Sequence, residues 1–148
     1  MKYYLDCEFD GMGGPLLSMA LVCEDGDEIY FVHRRANALT VNGWVAKNVL
    51  PIMDVASATL VGEVEDLPDH IAGFLAGDKN PEIIADWPDD FTYFSPAVLT
   101  GPGTMIDVPT LTMRVIRVDA YPTELEGAIQ HNALWDARAL RHKLETAA

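Results

Sequence analysis

Residues 2–9, KYYLDCEF, restrict the possible architecture of this chain more than any other stretch. They alternate, so Tyr3, Leu5, Cys7 and Phe9 share one face of an extended segment, and Tyr4, Asp6 and Glu8 share the other. A strand with such an apolar face belongs in a sheet that has another layer packed upon it. The opposite face carries two carboxylates two residues apart, pointing the same way. On an edge strand both would simply lie in water. On an internal strand, repulsion and desolvation disfavour the pair unless a cation sits between them. Hard divalent ions such as Mg²⁺ or Mn²⁺ prefer such oxygen ligands.

The remaining pattern predicts one mixed α/β domain over residues 1–148. Residues 11–15, GMGGP, read as a turn or flexible loop. Apolar strands are expected at 16–23 and 28–33, joined through Asp25-Gly26-Asp27. Trp44, Val45, Val49, Ile52 and Met53 recur at helical spacing and predict a helix over 42–53, with Pro51 shaping its end. Further helices are expected over 68–75 and 89–99, on either side of a short buried strand at 82–85. Gly101-Pro102-Gly103 breaks the chain, and residues 115–118 read as the last strand. The closing helix, 132–145, places Ala133, Ala137, Leu140 and Leu144 on one face.

Hydrophobic residues make up 49% and charged residues 22%, the balance of a soluble globular protein. No apolar run approaches the roughly 18 residues of a membrane span, and the N-terminus lacks the apolar core of a signal peptide. A cytoplasmic protein without membrane partners is expected, with Cys7 and Cys23 as reduced, partly buried thiols. The net charge of −13 argues against a protein that grips long nucleic acid through a basic groove. It leaves room for one that engages a few nucleotides, with metal ions supplying positive charge where it is needed.

Two more segments carry chemistry. In Ala85-Asp86-Trp87-Pro88-Asp89-Asp90-Phe91 an apolar strand runs into acids at the start of a helix. Acids there also serve as caps and complement the helix dipole. In His131-Asn132-Ala133-Leu134-Trp135-Asp136-Ala137 a histidine stands before a helix whose second turn carries an acid. That arrangement is equally a capping His with a surface Asp paired to Arg138 or Arg141. No phosphate-binding glycine pattern of Walker type is present.

Taken in order, D-x-E near the N-terminus, a mid-chain acid at a strand–helix junction and H-x4-D on the last helix resemble the DEDDh 3′→5′ exonuclease family. That family includes ribonuclease T, oligoribonuclease and proofreading exonuclease domains. The stretch 44–51, WVAKNVLP, also resembles short bacterial ribonuclease T-like exoribonucleases, a mycobacterial one among them. The resemblance implies a ribonuclease H-like fold: a five-stranded mixed sheet flanked by helices, its first strand central and carrying Asp6 and Glu8. It implies two divalent metal ions, Mg²⁺ or Mn²⁺, held by Asp6, Glu8, Asp90 and Asp136, with His131 as general base. The family's second motif has an Asn where this chain has Asp86, so Asp86 is a rival to Asp90 as ligand. Phe9 and Gly11 are candidate contacts to the terminal nucleotide. Arg114, Arg117, Arg138, Arg141 and Lys143 are candidate phosphate contacts, and those on the last helix also complement its dipole. Trp135, Tyr93 and Phe94 are expected to pack rather than bind.

The implied activity is release of nucleoside 5′-monophosphates from the 3′ end of single-stranded RNA or a 3′ overhang, RNA being preferred over DNA. A deoxyribonuclease of the same family and a non-catalytic nucleic-acid-binding or protein-binding module on the same scaffold are the alternatives. The resemblance also implies a homodimer, and the acidity of the chain gives a physical motive for one, since a second copy could contribute basic residues to the site.

Overall fold

The computed structural model describes residues 1–53, 59–118 and 125–147. Its centre is a mixed sheet of strands β1 (Lys2–Phe9), β2 (Leu16–Cys23), β3 (Glu28–His33), β4 (Thr59–Gly62), β5 (Glu82–Ala85) and β8 (Thr112–Val115). A hairpin of β6 (Leu99–Gly101) and β7 (Thr104–Met105) stands apart from it. The order across the sheet is β4-β3-β2-β1-β5-β8. The first three strands form an antiparallel meander, whereas β4, β5 and β8 each join a parallel neighbour. This α/β arrangement, with helices on both faces, is consistent with a ribonuclease H-like fold.

Two layers cover the sheet. Tyr3, Leu5 and Cys7 share a cluster with Leu67, Ile71 and Leu75 of helix α2 (Leu67–Phe74) and its end, and with Phe94 and Ala97 of α3 (Asp90–Ala97). On the other face, Ala20, Val22 and Tyr30 pack with Val45 of α1 (Gly43–Asn48) and with Ala133, Leu134 and Ala137 of α4 (Ala133–Thr146). Burial from both sides explains why every residue of β2, apolar but for Ser18, is buried. Cys7 and Cys23 are free and buried. No helix among the described residues is long and apolar enough to cross a membrane.

Several expectations need correction. The sheet has six strands rather than five: β4 was not expected, since its four residues TLVG lie at an edge with Leu60 and Val61 exposed and show no buried alternation. The last strand lies at Thr112–Val115, not 115–118. Parallel pairing with β5, from Glu82↔Thr112 to Ala85↔Val115, selects it over the more β-branched segment that follows. The helix expected over 42–53 is a short α1 followed by a 3-10 turn, Leu50–Ile52. Pro51 has no amide hydrogen to continue an α-helix, and the chain tightens there. Trp44 lies on the outward side of α1, not on its buried face.

The parallel strands all end at the same edge of the sheet. Pairing of β1 with β5 stops at Tyr4↔Ile84, so the last part of β1 is uncovered on that side. On its other side the β1–β2 ladder slips between Glu8 and Phe9, an irregularity typical of strands that present functional groups.

Candidate active site

Asp6 and Glu8 stand on the face of β1 turned towards α4, at the end where β5 has left the strand. The gap leaves the Cys7 amide without a ladder partner on that side. Asp90, the first residue of α3, fills it: its Oδ1 accepts the Cys7 N–H at 3.2 Å. This bond, with the Cys7 Sγ–Asp90 O contact at 3.8 Å and the packing of Phe94, holds α3 against β1 and brings the Asp90 carboxyl beside Asp6.

Asp136 arrives from the other layer. It sits in the first turn of α4, beside the buried Ala133 and Ala137 that pack on the sheet, and is itself buried. The N-terminus of α4 is held by Asn132, whose Oδ1 accepts from Trp135 N at 3.2 Å. The Asn132 side chain also donates to the carbonyls of Ile52, at 2.8 Å, and Met53, at 3.3 Å. Since Asn132 is only 1% exposed, Asn132→Ala removes a cap and takes the donor from the half-buried Ile52 carbonyl, while Met53 O keeps the Tyr30 hydroxyl. The expected loss is about 1–3 kcal/mol in urea denaturation; a loss below about 0.5 kcal/mol would remove Asn132 as the lock of this junction.

Immediately before this cap, His131 adopts φ 66°, the one positive value among described non-glycine residues. Such a backbone is disfavoured for a side chain with a Cβ and is held here by its surroundings. The His131 amide donates to Asp136 Oδ2 at 2.9 Å, and its ring meets Trp44 edge-on, with centroids 4.9 Å apart.

The acids and the histidine form two groups. Ligand atoms of Asp6, Asp86 and Asp90 lie within 4.8 Å of one another, as do those of Glu8, His131 and Asp136. Asp86, from the end of β5, and Asp90, from the start of α3, therefore stand in the same group. Asp89 does not, and accepts a hydrogen bond from Trp87 Nε1 at 3.3 Å.

Burial raises the pKa of every acid in these groups. Asp6 is pushed well above the usual carboxylate range by desolvation and then by Asp90, Asp136, Glu8 and Asp86. Glu8 and Asp90 are pushed to about 8 and Asp136 to about 7, each chiefly by desolvation and further by neighbouring carboxylates. Desolvation also raises Asp86, with Arg117 opposing it, and lowers His131. Asp6 Oδ2 and Asp90 Oδ2 are buried without a hydrogen-bond partner. Five crowded carboxyls, two of them with a buried unpartnered oxygen, are an unfavourable arrangement by themselves. They fit divalent cations that take oxygen ligands.

A hollow of about 260 Å³ adjoins Glu8 and is lined by Phe9, Gly11, Asn42 and Trp44 among others. Asp10 holds its rim, since its Oδ1 accepts from Asn42 N at 2.9 Å and Asn42 Nδ2 at 2.5 Å. The loop after β1 is a closed turn rather than a loose one. A Cβ on Gly14 would fall 1.9 Å from Asp10 O, so only glycine fits there. Phe9 stacks on Tyr93 with centroids 4.5 Å apart, so core packing covers one side of its ring while it also borders the hollow. Trp44, 55% exposed, is the neighbour that the helical pattern missed. A large exposed aromatic beside a polar site is the signal that locates it.

The two arginines of α4 are occupied elsewhere. Arg138 pairs with Glu28 and lies 4.5 Å over the Trp135 ring, and Arg141 donates to Glu24 O at 2.8 Å. Arg114 pairs with Glu82 at 3.0 Å.

No family model matches the chain. Among curated proteins it is similar to a 3′-5′ exoribonuclease of Mycobacterium tuberculosis, recorded for strain CDC 1551 / Oshkosh and for strain ATCC 25618 / H37Rv. Identity is 28% over 152 residues in each case, covering 93% of this chain and 88% of the relative.

Proposed function

We propose that this chain is a 3′→5′ exoribonuclease that hydrolyses the terminal phosphodiester of RNA with the help of divalent metal ions. The observation that carries the reading is the convergence of Asp6, Glu8, Asp86, Asp90, His131 and Asp136 into two adjoining groups at one end of the sheet. Similarity along most of the chain to a protein named as a 3′-5′ exoribonuclease supports the same reading and favours RNA over DNA.

Asp6, Glu8 and Asp136, with Asp90 or Asp86, would hold two ions, Mg²⁺ or Mn²⁺. Such ions neutralise phosphate charge and make bound water more acidic. His131, kept neutral near pH 7 by its lowered pKa, takes a proton from the attacking water at an imidazole nitrogen. Trp44 and Asp136 fix the orientation of the histidine through ring edge and backbone respectively. Phe9, Gly11 and Trp44 border the hollow for the terminal nucleoside, where an aromatic face suits any base. The product is a nucleoside 5′-monophosphate.

Digestion of matched RNA and DNA oligonucleotides tests the substrate class. Faster release of 5′-monophosphates from RNA is expected; faster release from DNA would transfer the reading to a deoxyribonuclease. A homodimer belongs to the same proposal, and sedimentation of a fully active monomer would remove it.

His131→Ala should lower turnover about 10²–10⁴-fold. It should also abolish the decline in rate that His131 protonation causes on acidification, which burial moves below the ordinary imidazole range. Thermal stabilisation by Mn²⁺ should persist, because the carboxylates remain. An unchanged pH–rate profile in this variant would contradict the general-base role.

A further inference from the structure

Trp87 and Arg117 form a pair that the proposed chemistry does not yet use. Trp87 follows Asp86 directly, is 48% exposed, and is steadied by its hydrogen bond to Asp89. Arg117 extends from the end of β8, two residues beyond Val115, which pairs with Ala85. Its guanidinium carbon lies 4.6 Å from the centre of the Trp87 ring.

The charge of Arg117 is uncommitted in a chain where cations are scarce. Arg34 and Arg35 share Glu63, Arg114 and Arg138 each have a glutamate, and Arg141 has a carbonyl. Among the described residues Arg117 has neither an ion pair nor a hydrogen bond. It stands near enough to Asp86 for its field to act on that carboxyl. An exposed indole with an unspent guanidinium over it presents two groups that single-stranded nucleic acid uses, a flat face for a base and a fork for a phosphate.

The layout of the two acid groups says which nucleotide this is. His131, which receives the proton, belongs with Glu8 and Asp136, so the attacking water arrives on that side. Displacement at phosphorus is in line, so the departing 3′-oxygen leaves on the opposite side. That is the side of Asp6, Asp86 and Asp90, and it is where Trp87 continues from Asp86.

We infer that Trp87 and Arg117 form a second nucleotide subsite, which stacks the base and holds the phosphate of the nucleotide that becomes the new 3′ end. This rests on the exonuclease reading and adds its polarity to it: the terminal nucleoside enters the hollow beside Trp44, and the rest of the strand leaves past Trp87. A strand bound so is gripped at two aromatic surfaces without a basic groove.

The test compares a ribodinucleotide, a short oligoribonucleotide and the p-nitrophenyl ester of uridine 5′-monophosphate, with Mn²⁺ present. In the ester, p-nitrophenolate replaces the upstream nucleotide as leaving group, so the second subsite has nothing to hold. Wild type should bind the dinucleotide and oligonucleotide more tightly than the ester. In Trp87→Ala that advantage should shrink roughly 10- to 100-fold, read as KM. In Arg117→Gln it should also shrink, with the salt slope of oligonucleotide binding reduced by about one phosphate contact. An advantage preserved in both variants overturns the subsite. So does a loss that falls equally on ester and oligonucleotide, since that marks a structural role. Cleavage of all three substrates by both variants, with the preference for dinucleotide and oligonucleotide over ester unchanged, would leave the hydrolase reading standing without the subsite. Wild type that cleaves none of the three substrates would remove the reading itself, and the subsite with it.

Discussion

Asp6→Asn is expected to lower turnover by at least about 10³-fold, the equivalent of roughly 4 kcal/mol of transition-state stabilisation. It is expected at the same time to make the metal-free protein more stable. Both effects come from one arrangement. Asp6 lies against Asp90 and Asp86 and has a buried oxygen without a partner, so the carboxylate is a poor structural element. The amide has the same shape and no charge, and it can donate to the neighbouring acids. Relief of burial and repulsion should raise stability by about 0.5–2 kcal/mol at pH 8 in chelator, the range of changes that trade function for stability. Steady-state rates beside urea denaturation in EDTA read both quantities. Retained activity would remove Asp6 from the chemistry. A clear loss of stability would mean that the carboxylate is structurally satisfied.

The second large effect is a dependence of stability on pH that divalent metal cancels. Glu8 and Asp90 titrate near 8 and Asp136 near 7 in the folded protein, against roughly 4 for carboxylates in an unfolded chain. Their folded pKa values are raised, so the folded state binds more protons than the unfolded one between these limits. The stability they allow is fully present below about pH 4 and is lost as pH rises through about 7 to 8. In chelator, Tm should therefore fall between pH 5 and pH 8. Mg²⁺ or Mn²⁺ at about 100 times its dissociation constant adds roughly 2.7 kcal/mol, or about 5–10 °C in a domain of this size. The shift should be larger at pH 8 than at pH 5, because protonated carboxyls do not bind metal. A metal-free Tm that is flat with pH and indifferent to either ion would mean that the acids are solvated and independent.

The parts of this picture legible in the sequence were those written in a strict period. Alternation over residues 2–9 exposed β1 and its acidic pair, and apolar spacing at Ala133, Ala137 and Leu140 exposed the buried face of α4. Thr59–Gly62 was hidden because an exposed four-residue edge strand carries no period. Residues 115–118 are richer in β-branched side chains than Thr112–Val115, but the length and position of β5 select the latter. Trp44 was placed among the apolar residues of its helix because spacing counts aromatics without regard to the direction in which a short helix sits. The relation of Asp86 to Asp90 was beyond the sequence for a different reason. One projects from a strand end and the other from a helix start, and they meet in the fold where β5 leaves the Cys7 amide free to hold Asp90.

The most direct measurement is digestion of a 5′-labelled single-stranded RNA by the wild-type chain and by Asp6→Asn, each with Mg²⁺, Mn²⁺ or chelator. A ladder that shortens progressively from the 3′ end with metal, and is absent both in chelator and in the variant, is the expected result. Internal cuts, cleavage that survives chelation, or no cleavage by the wild type with either ion would contradict a metal-dependent 3′→5′ exoribonuclease built on these residues.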